Sequence, residues 1–81
     1  MSFFYVYIIR SMKVADRFYV GFTTDLHARL AKHNSGQVPH TSKFSPWQIK
    51  TAIAFTDESR ARKFEAYLTT GSGMTFVKRH L

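Results

Sequence analysis

Eighty-one residues suffice for one domain, taken here as residues 1–81, and leave no room for a second core. At 44% hydrophobic and 16% aromatic the chain has enough bulky side chains to fold alone, while 12 Lys and Arg against 5 Asp and Glu give a net charge of +7. That imbalance favours a polyanionic partner such as nucleic acid, and the lack of cysteine excludes a disulfide framework or thiolate metal site and fits a cytoplasmic location.

The opening stretch, MSFFYVYIIR, holds an apolar run too short to span a bilayer, and it lacks the basic leader and small-residue cleavage site of a signal peptide. No membrane partner is therefore expected. Phe3 to Ile9 is apolar at both parities, which suits a strand covered on both faces. SMKVAD interrupts it and RFYVGF resumes extended structure, so the pair reads as an antiparallel hairpin. In the second strand Phe18, Val20 and Phe22 share one face; Tyr19 and Gly21 share the other, where the glycine leaves space beside the tyrosine ring.

Thr23 or Thr24 can cap the next helix, with Asp25 in its first turn, and Asn34-Ser35-Gly36 supplies the stop. QVPHTSKFSP reads as a polar loop. WQIKTAIAF alternates Trp47, Ile49, Thr51, Ile53 and Phe55 with other residues and fits a third strand. Thr56 or Asp57 caps a second long helix running to about Thr70 and stopped by Gly71, and Ser72 can cap a short last helix, GMTFVKRHL. The expected fold class is α+β, a small central three-stranded antiparallel sheet flanked by helices, in the order β-β-α-β-α-α.

Some polar side chains fit plain packing poorly. On the first helix, with Leu26 at zero, Leu30 falls at about 40°, His33 at about 340° and Arg29 at about 300°. Arg29 and His33 are thus neighbours at i, i+4 on the flank of the apolar stripe. Each alone also fits a surface role, the arginine snorkelling and the histidine meeting the helix dipole. On the second helix, Glu65 lies about 40° from Ala61 on the same inward arc as Phe64 and Leu68. A carboxylate there needs a cation, either a metal ion or a partner such as Arg29 or a lysine. Tyr5 and Tyr7 share one face of the first strand, and antiparallel pairing can bring Tyr19 near them. His27, His40 and His80 show no metal-site spacing with His33.

In this combination the sequence resembles the GIY-YIG endonuclease superfamily, in particular its small single-domain bacterial members. Tyr5-Val6-Tyr7 stands where the first motif is expected and Tyr19-Val20-Gly21 matches the second. Thr23, Leu26, Arg29, Leu30, His33, Asn34 and Gly36 follow the pattern of the next helix, Ser45-Pro46-Trp47 that of the loop before the third strand, and GSGMTFVKRHL that of the tail. Tyr5 replaces the glycine of the motif's name, and Thr69-Thr70 stand where many similar sequences carry a lysine.

The resemblance implies metal-dependent hydrolysis of a nucleic-acid phosphodiester, in DNA by expectation and in repair or recombination. It implies Tyr7, Tyr19, Arg29, His33 and Glu65 as catalytic residues, with Glu65 also holding Mg²⁺ or Mn²⁺. A free phenol, with a pKa of about 10, is a poor base at neutral pH, so Arg29 and the cation are expected to lower it; Tyr19 is favoured as the base because Gly21 leaves room for water. The competing expectation is a non-catalytic nucleic-acid-binding module on the same fold. Many nucleases of the superfamily carry a separate DNA-recognition domain, which the chain lacks, so a partner protein that supplies targeting is also expected.

Overall fold

The computed structural model describes residues 2–81. Its elements are β1 (Phe4–Ser11), β2 (Phe18–Thr23), α1 (Leu26–Asn34), the single turn α2 (Pro39–Ser42), β3 (Trp47–Phe55), α3 (Glu58–Leu68) and α4 (Gly71–His80). The three strands form one antiparallel sheet in the order β2-β1-β3. The expected α+β class and order hold, with one turn of helix added inside the segment read as a loop. Pro39 at its first turn favours that start.

β1 is central, and its four consecutive residues Val6, Tyr7, Ile8 and Ile9 are all buried. The reason is that both sheet faces are covered. Val6 and Ile8 join Val20, Ala61, Leu68 and Val77 in a core under α3 and α4. Tyr7 and Ile9 join Trp47, with Leu26 and Leu30 of α1 packed on them. β1 outlasts the expected end at Ile9 because Arg10 and Ser11 still pair, with Gln48 and Trp47.

β3 alternates as expected but does not keep one face. Ile8 pairs with Thr51 and Ile9 with Ile49, so Lys50 is an extra residue, a bulge. Trp47 and Ile49 therefore share the Tyr7 face, whereas Thr51, Ile53 and Phe55 lie opposite, against Ile8, Val6 and Phe4. An unbroken period-2 pattern in sequence conceals that switch.

Caps lie one or two residues from those expected at α1 and α4, whereas α3 is capped by Asp57, one of the two residues expected. Asp25, not a threonine, caps α1 by accepting the Ala28 N–H at 3.0 Å. At the other end Gly36, with φ +79°, takes the left-handed position after the helix, and the Gln37 N–H reaches back to Lys32 O. Asp57 caps α3, which ends at Leu68. Thr70, extended and accepting the Gly73 N–H, begins α4. Ser72 and Gly71 are thus already helical, which displaces the capping and stop roles expected of them. No helix among the described residues is long and apolar enough to cross a membrane.

Candidate active site

Four of the five candidate side chains meet on the α1 face of the sheet. Tyr7 comes from the central strand, Tyr19 from β2, and Arg29 and His33 from one side of α1. His33 is fully buried; its ring centroid lies 5.8 Å from that of Tyr7 and 5.0 Å from that of Tyr19. This is no surface histidine at a helix end. The Tyr7 hydroxyl is 2.8 Å from His33 Nε2 and 3.2 Å from Arg29 Nε.

These contacts fix where the protons sit. Tyr7 is 1% exposed, so its O–H needs an internal acceptor. Arg29 can only donate, which leaves His33 Nε2. On the far side of the ring, His33 Nδ1 lies 2.8 Å from Thr41 Oγ1. The Thr41 hydroxyl in turn donates to Val38 O at 3.2 Å, so Nδ1 must carry the proton and Thr41 must accept it. The relay runs from Arg29 Nε–H to Tyr7, from Tyr7 O–H to His33 Nε2, and from His33 Nδ1–H to Thr41.

Electrostatics agree with that assignment. Burial, helped by the charge of Arg29, brings His33 from 6.5 down to about 4, so the imidazole is neutral at pH 7. Burial also pushes the Tyr7 phenol up; the hydrogen bond and charge of Arg29 pull it down without prevailing, and the charges of Tyr19 and Glu65 add to the rise. Arg29 thus pulls the Tyr7 phenol down as expected, but desolvation outweighs this one partly exposed cation and the net direction is upward. Arg29 is itself held more firmly protonated, first by its bond to Tyr7 and further by Tyr19.

Gly21 also plays a different part from the one expected. It pairs with Tyr7 across the sheet, and a Cβ at residue 21 would overlap the Tyr7 ring and hydroxyl. The space above the glycine is thus filled by Tyr7 rather than open to water beside Tyr19. Tyr19 remains half-exposed at the rim.

Glu65 is the outlying member. It is half-buried on α3, the helix that covers the opposite sheet face and packs on β1 and β2. It forms neither a hydrogen bond nor an ion pair among the described residues, in contrast to Asp57 and Glu58, which pair with Arg60 and Arg62. The buried ion pair considered from sequence is absent there. Its charge reaches the Tyr7 phenol only as the smallest of the influences that raise that group. No group of three or more His, Cys, Asp or Glu capable of caging a metal occurs among the described residues. A lone carboxylate with no ion-pair partner among the described residues fits Mg²⁺, which keeps several waters and takes further oxygens from substrate phosphate.

Sequence reasoning missed Thr41, and with it the turn that carries it. Asn34 ties that region together: its amide donates to Trp47 O at 3.0 Å and accepts the Trp47 N–H, joining the end of α1 to the start of β3. The Trp47 indole donates to Thr41 O at 2.9 Å. A single helical turn has no periodicity to betray it; the only available signal was a buried-polar candidate, His33, in need of a second partner.

The GIY-YIG catalytic domain family matches the chain over residues 3–74. Among solved structures, the chain is similar to the UPF0213 protein BH0048 from Bacillus halodurans, determined by solution NMR, at 26% identity and a TM-score of 0.56, over 99% of this chain and 86% of that one. No curated protein matches it. With the family pattern spanning both strands of the hairpin, α1, β3 and α3, the chain belongs to the GIY-YIG family.

Proposed function

We propose that the chain is a metal-dependent endonuclease that hydrolyses phosphodiester bonds of nucleic acid, DNA in the first instance. The observation that carries this reading is the convergence of the Arg29 guanidinium, the Tyr7 and Tyr19 phenols and the His33 imidazole on the α1 face of the sheet. The +7 charge supports it, since only Arg60 and Arg62 among the described cations have acidic partners and the rest can neutralise phosphates.

Each side chain has a task in that reaction. Arg29 holds Tyr7 through Nε, which leaves its terminal nitrogens for the non-bridging oxygens of the phosphate. A divalent cation, Mg²⁺ or Mn²⁺, held by Glu65 would supply charge neutralisation on the phosphate and on the departing 3′ oxygen. Tyr19, half-exposed beside Arg29, is the phenol that water can reach, and we assign it the proton of the attacking water. That water's oxygen bonds to phosphorus as the bond to the 3′ oxygen breaks. Tyr7 stays a neutral phenol, fixed by His33, and orients Arg29. The fold thereby presents the fork in one geometry before substrate arrives.

The competing reading is a non-catalytic binding module, which the +7 charge would serve equally well through phosphate neutralisation. A plasmid assay separates the two. Supercoiled DNA incubated with the protein is expected to be nicked with Mg²⁺ and intact with EDTA. Binding under both conditions with nicking under neither would establish the module instead. Roles in repair or recombination, a targeting partner and a cytoplasmic location are proposed with this reading and await a defined substrate.

A further inference from the structure

The α1 face of the sheet is only partly covered. Leu26 and Leu30 pack over Tyr7, Ile9 and Trp47. Beyond them, the register sets Gly21, Tyr7 and Ala52 in one row and Thr23, Tyr5 and Ala54 in the next. Paired residues share a face, so Tyr5 lies beside Tyr7 on the candidate-site side. Ala52 and Ala54 are exposed and Tyr5 is half-exposed, with Phe3 adjoining it at 6.3 Å between ring centroids. The Tyr5 hydroxyl bonds to nothing among the described residues. An aromatic ring bordered by two side chains too small to cover it makes an open floor, roughly 7 Å along the strand from Tyr7.

That floor adjoins a site where Arg29 offers its guanidinium, on a chain with net charge +7. Aromatic platforms next to unpaired positive charge are the recognition chemistry of single-stranded nucleic acid: the charge tracks phosphates while each ring stacks a base. In a duplex both faces of a base are already stacked, so only an unpaired or splayed base can lie on Tyr5. We propose that Tyr5, flanked by Ala52 and Ala54, stacks the unpaired base of the nucleotide adjoining the phosphate held by Arg29, so that the protein prefers single-stranded or frayed DNA to a continuous duplex. This rests on the nuclease reading for the position of the phosphate, and it gives that reading a substrate class.

Binding of short oligodeoxynucleotides in EDTA tests it independently of turnover. A single strand carrying one 2-aminopurine is expected to bind more tightly than its duplex and to lose fluorescence as the probe stacks. Tyr5→Ala is expected to weaken single-strand binding roughly 5- to 100-fold, the range for one base–aromatic stack, and to leave duplex binding unchanged. Tyr5→Trp keeps the preference. Ala54→Ile, which covers the floor without removing the ring, reproduces the loss and serves if Tyr5→Ala misfolds. Equal losses on single strand and duplex, or none on either, overturn the proposal. A protein that shows the Tyr5-dependent preference in EDTA yet never nicks DNA with Mg²⁺ would retain the platform and lose only the catalytic reading.

Discussion

The Tyr7 hydroxyl lies 2.8 Å from His33 Nε2, and because Tyr7 is buried beside a group that can only donate, its proton belongs to that bond. Thr41 makes this arrangement unique by accepting from the opposite nitrogen. Thr41→Val, which keeps the shape, leaves a buried N–H without an acceptor and is expected to cost about 1–3 kcal/mol of stability. It should also lower nicking, since His33 is then free to turn away from Tyr7. Thr41→Ser is expected to restore both. Urea unfolding gives the first quantity, and the nitrogen chemical shifts of His33 report the tautomer directly. Unaltered shifts in the valine variant would show that Thr41 does not set it.

His33 also makes stability depend on pH. Its folded pKa, about 4, is below the 6.5 of the unfolded chain, so between those values the unfolded state binds the extra proton. Stability is therefore expected to be constant above pH 6.5, to fall as pH drops towards 4, and to level off below it as far as this residue is concerned. The loss across that window is roughly 3 kcal/mol at about 1.4 kcal/mol per pKa unit. Denaturant midpoints at pH 7, 5.5 and 4 measure it. Carboxylates add a slope of the same sign at the acid end, so the decisive comparison is His33→Gln, which should flatten the curve between pH 6.5 and 5.

The contrast between His33 and Thr41 shows what a linear sequence discloses. Element order was legible because β1, β2 and the long helices carry strong periodicity, and Arg29, His33 and Glu65 stood out as candidates because they sit where a packing helix prefers apolar groups. The Lys50 bulge was hidden, since alternation continues through it while the face reverses. The caps at Asp25 and Thr70 shifted by one or two residues because neighbouring Thr, Asp and Ser compete for the same N–H groups. Thr41 was invisible for a different reason: its importance lies in one hydroxyl brought against α1 by tertiary packing. The net rise at Tyr7 was not legible because a sequence names the neighbouring cation but not the depth of burial.

Gly21 is predicted to be intolerant of any side chain. The Cβ of Gly21→Ala would occupy the Tyr7 ring, and forcing that ring aside is expected to cost about 1–3 kcal/mol, the usual range for overpacking. The same alanine introduced together with Tyr7→Leu should cost less than the sum of the two single changes, since the clash has been removed. Thermal or urea unfolding of the four proteins closes the cycle. Strict additivity would mean that the two residues do not press on each other.

Arg29 is predicted to act in the transition state more than in binding. Removing a preorganised donor of this type costs about 3–4 kcal/mol, so Arg29→Ala should slow nicking by at least about a hundredfold. Arg29→Lys keeps the charge but cannot fork across two oxygens; it should preserve DNA affinity while recovering little of the rate. Single-turnover nicking beside binding in EDTA separates the two quantities. A fall of less than about tenfold for the alanine variant contradicts the assigned role.

Glu65 gives the most direct test of the metal. Because its carboxylate has no hydrogen-bond or ion-pair partner among the described residues, Glu65→Ala breaks no polar contact there and should change stability by no more than about 0.5 kcal/mol. Relief of its charge should if anything ease the ionisation of Tyr7, whose pKa it helps to raise. An intact fold with abolished nicking at every Mg²⁺ concentration is therefore the expected result. The wild-type protein should also gain thermal stability with added Mg²⁺, by the linkage of binding to folding, and the variant should not. Glu65→Asp, a shorter arm bearing the same charge, should need more metal for half-maximal rate. Nicking by the alanine variant at the wild-type rate would place the cation elsewhere and remove the carboxylate from the mechanism.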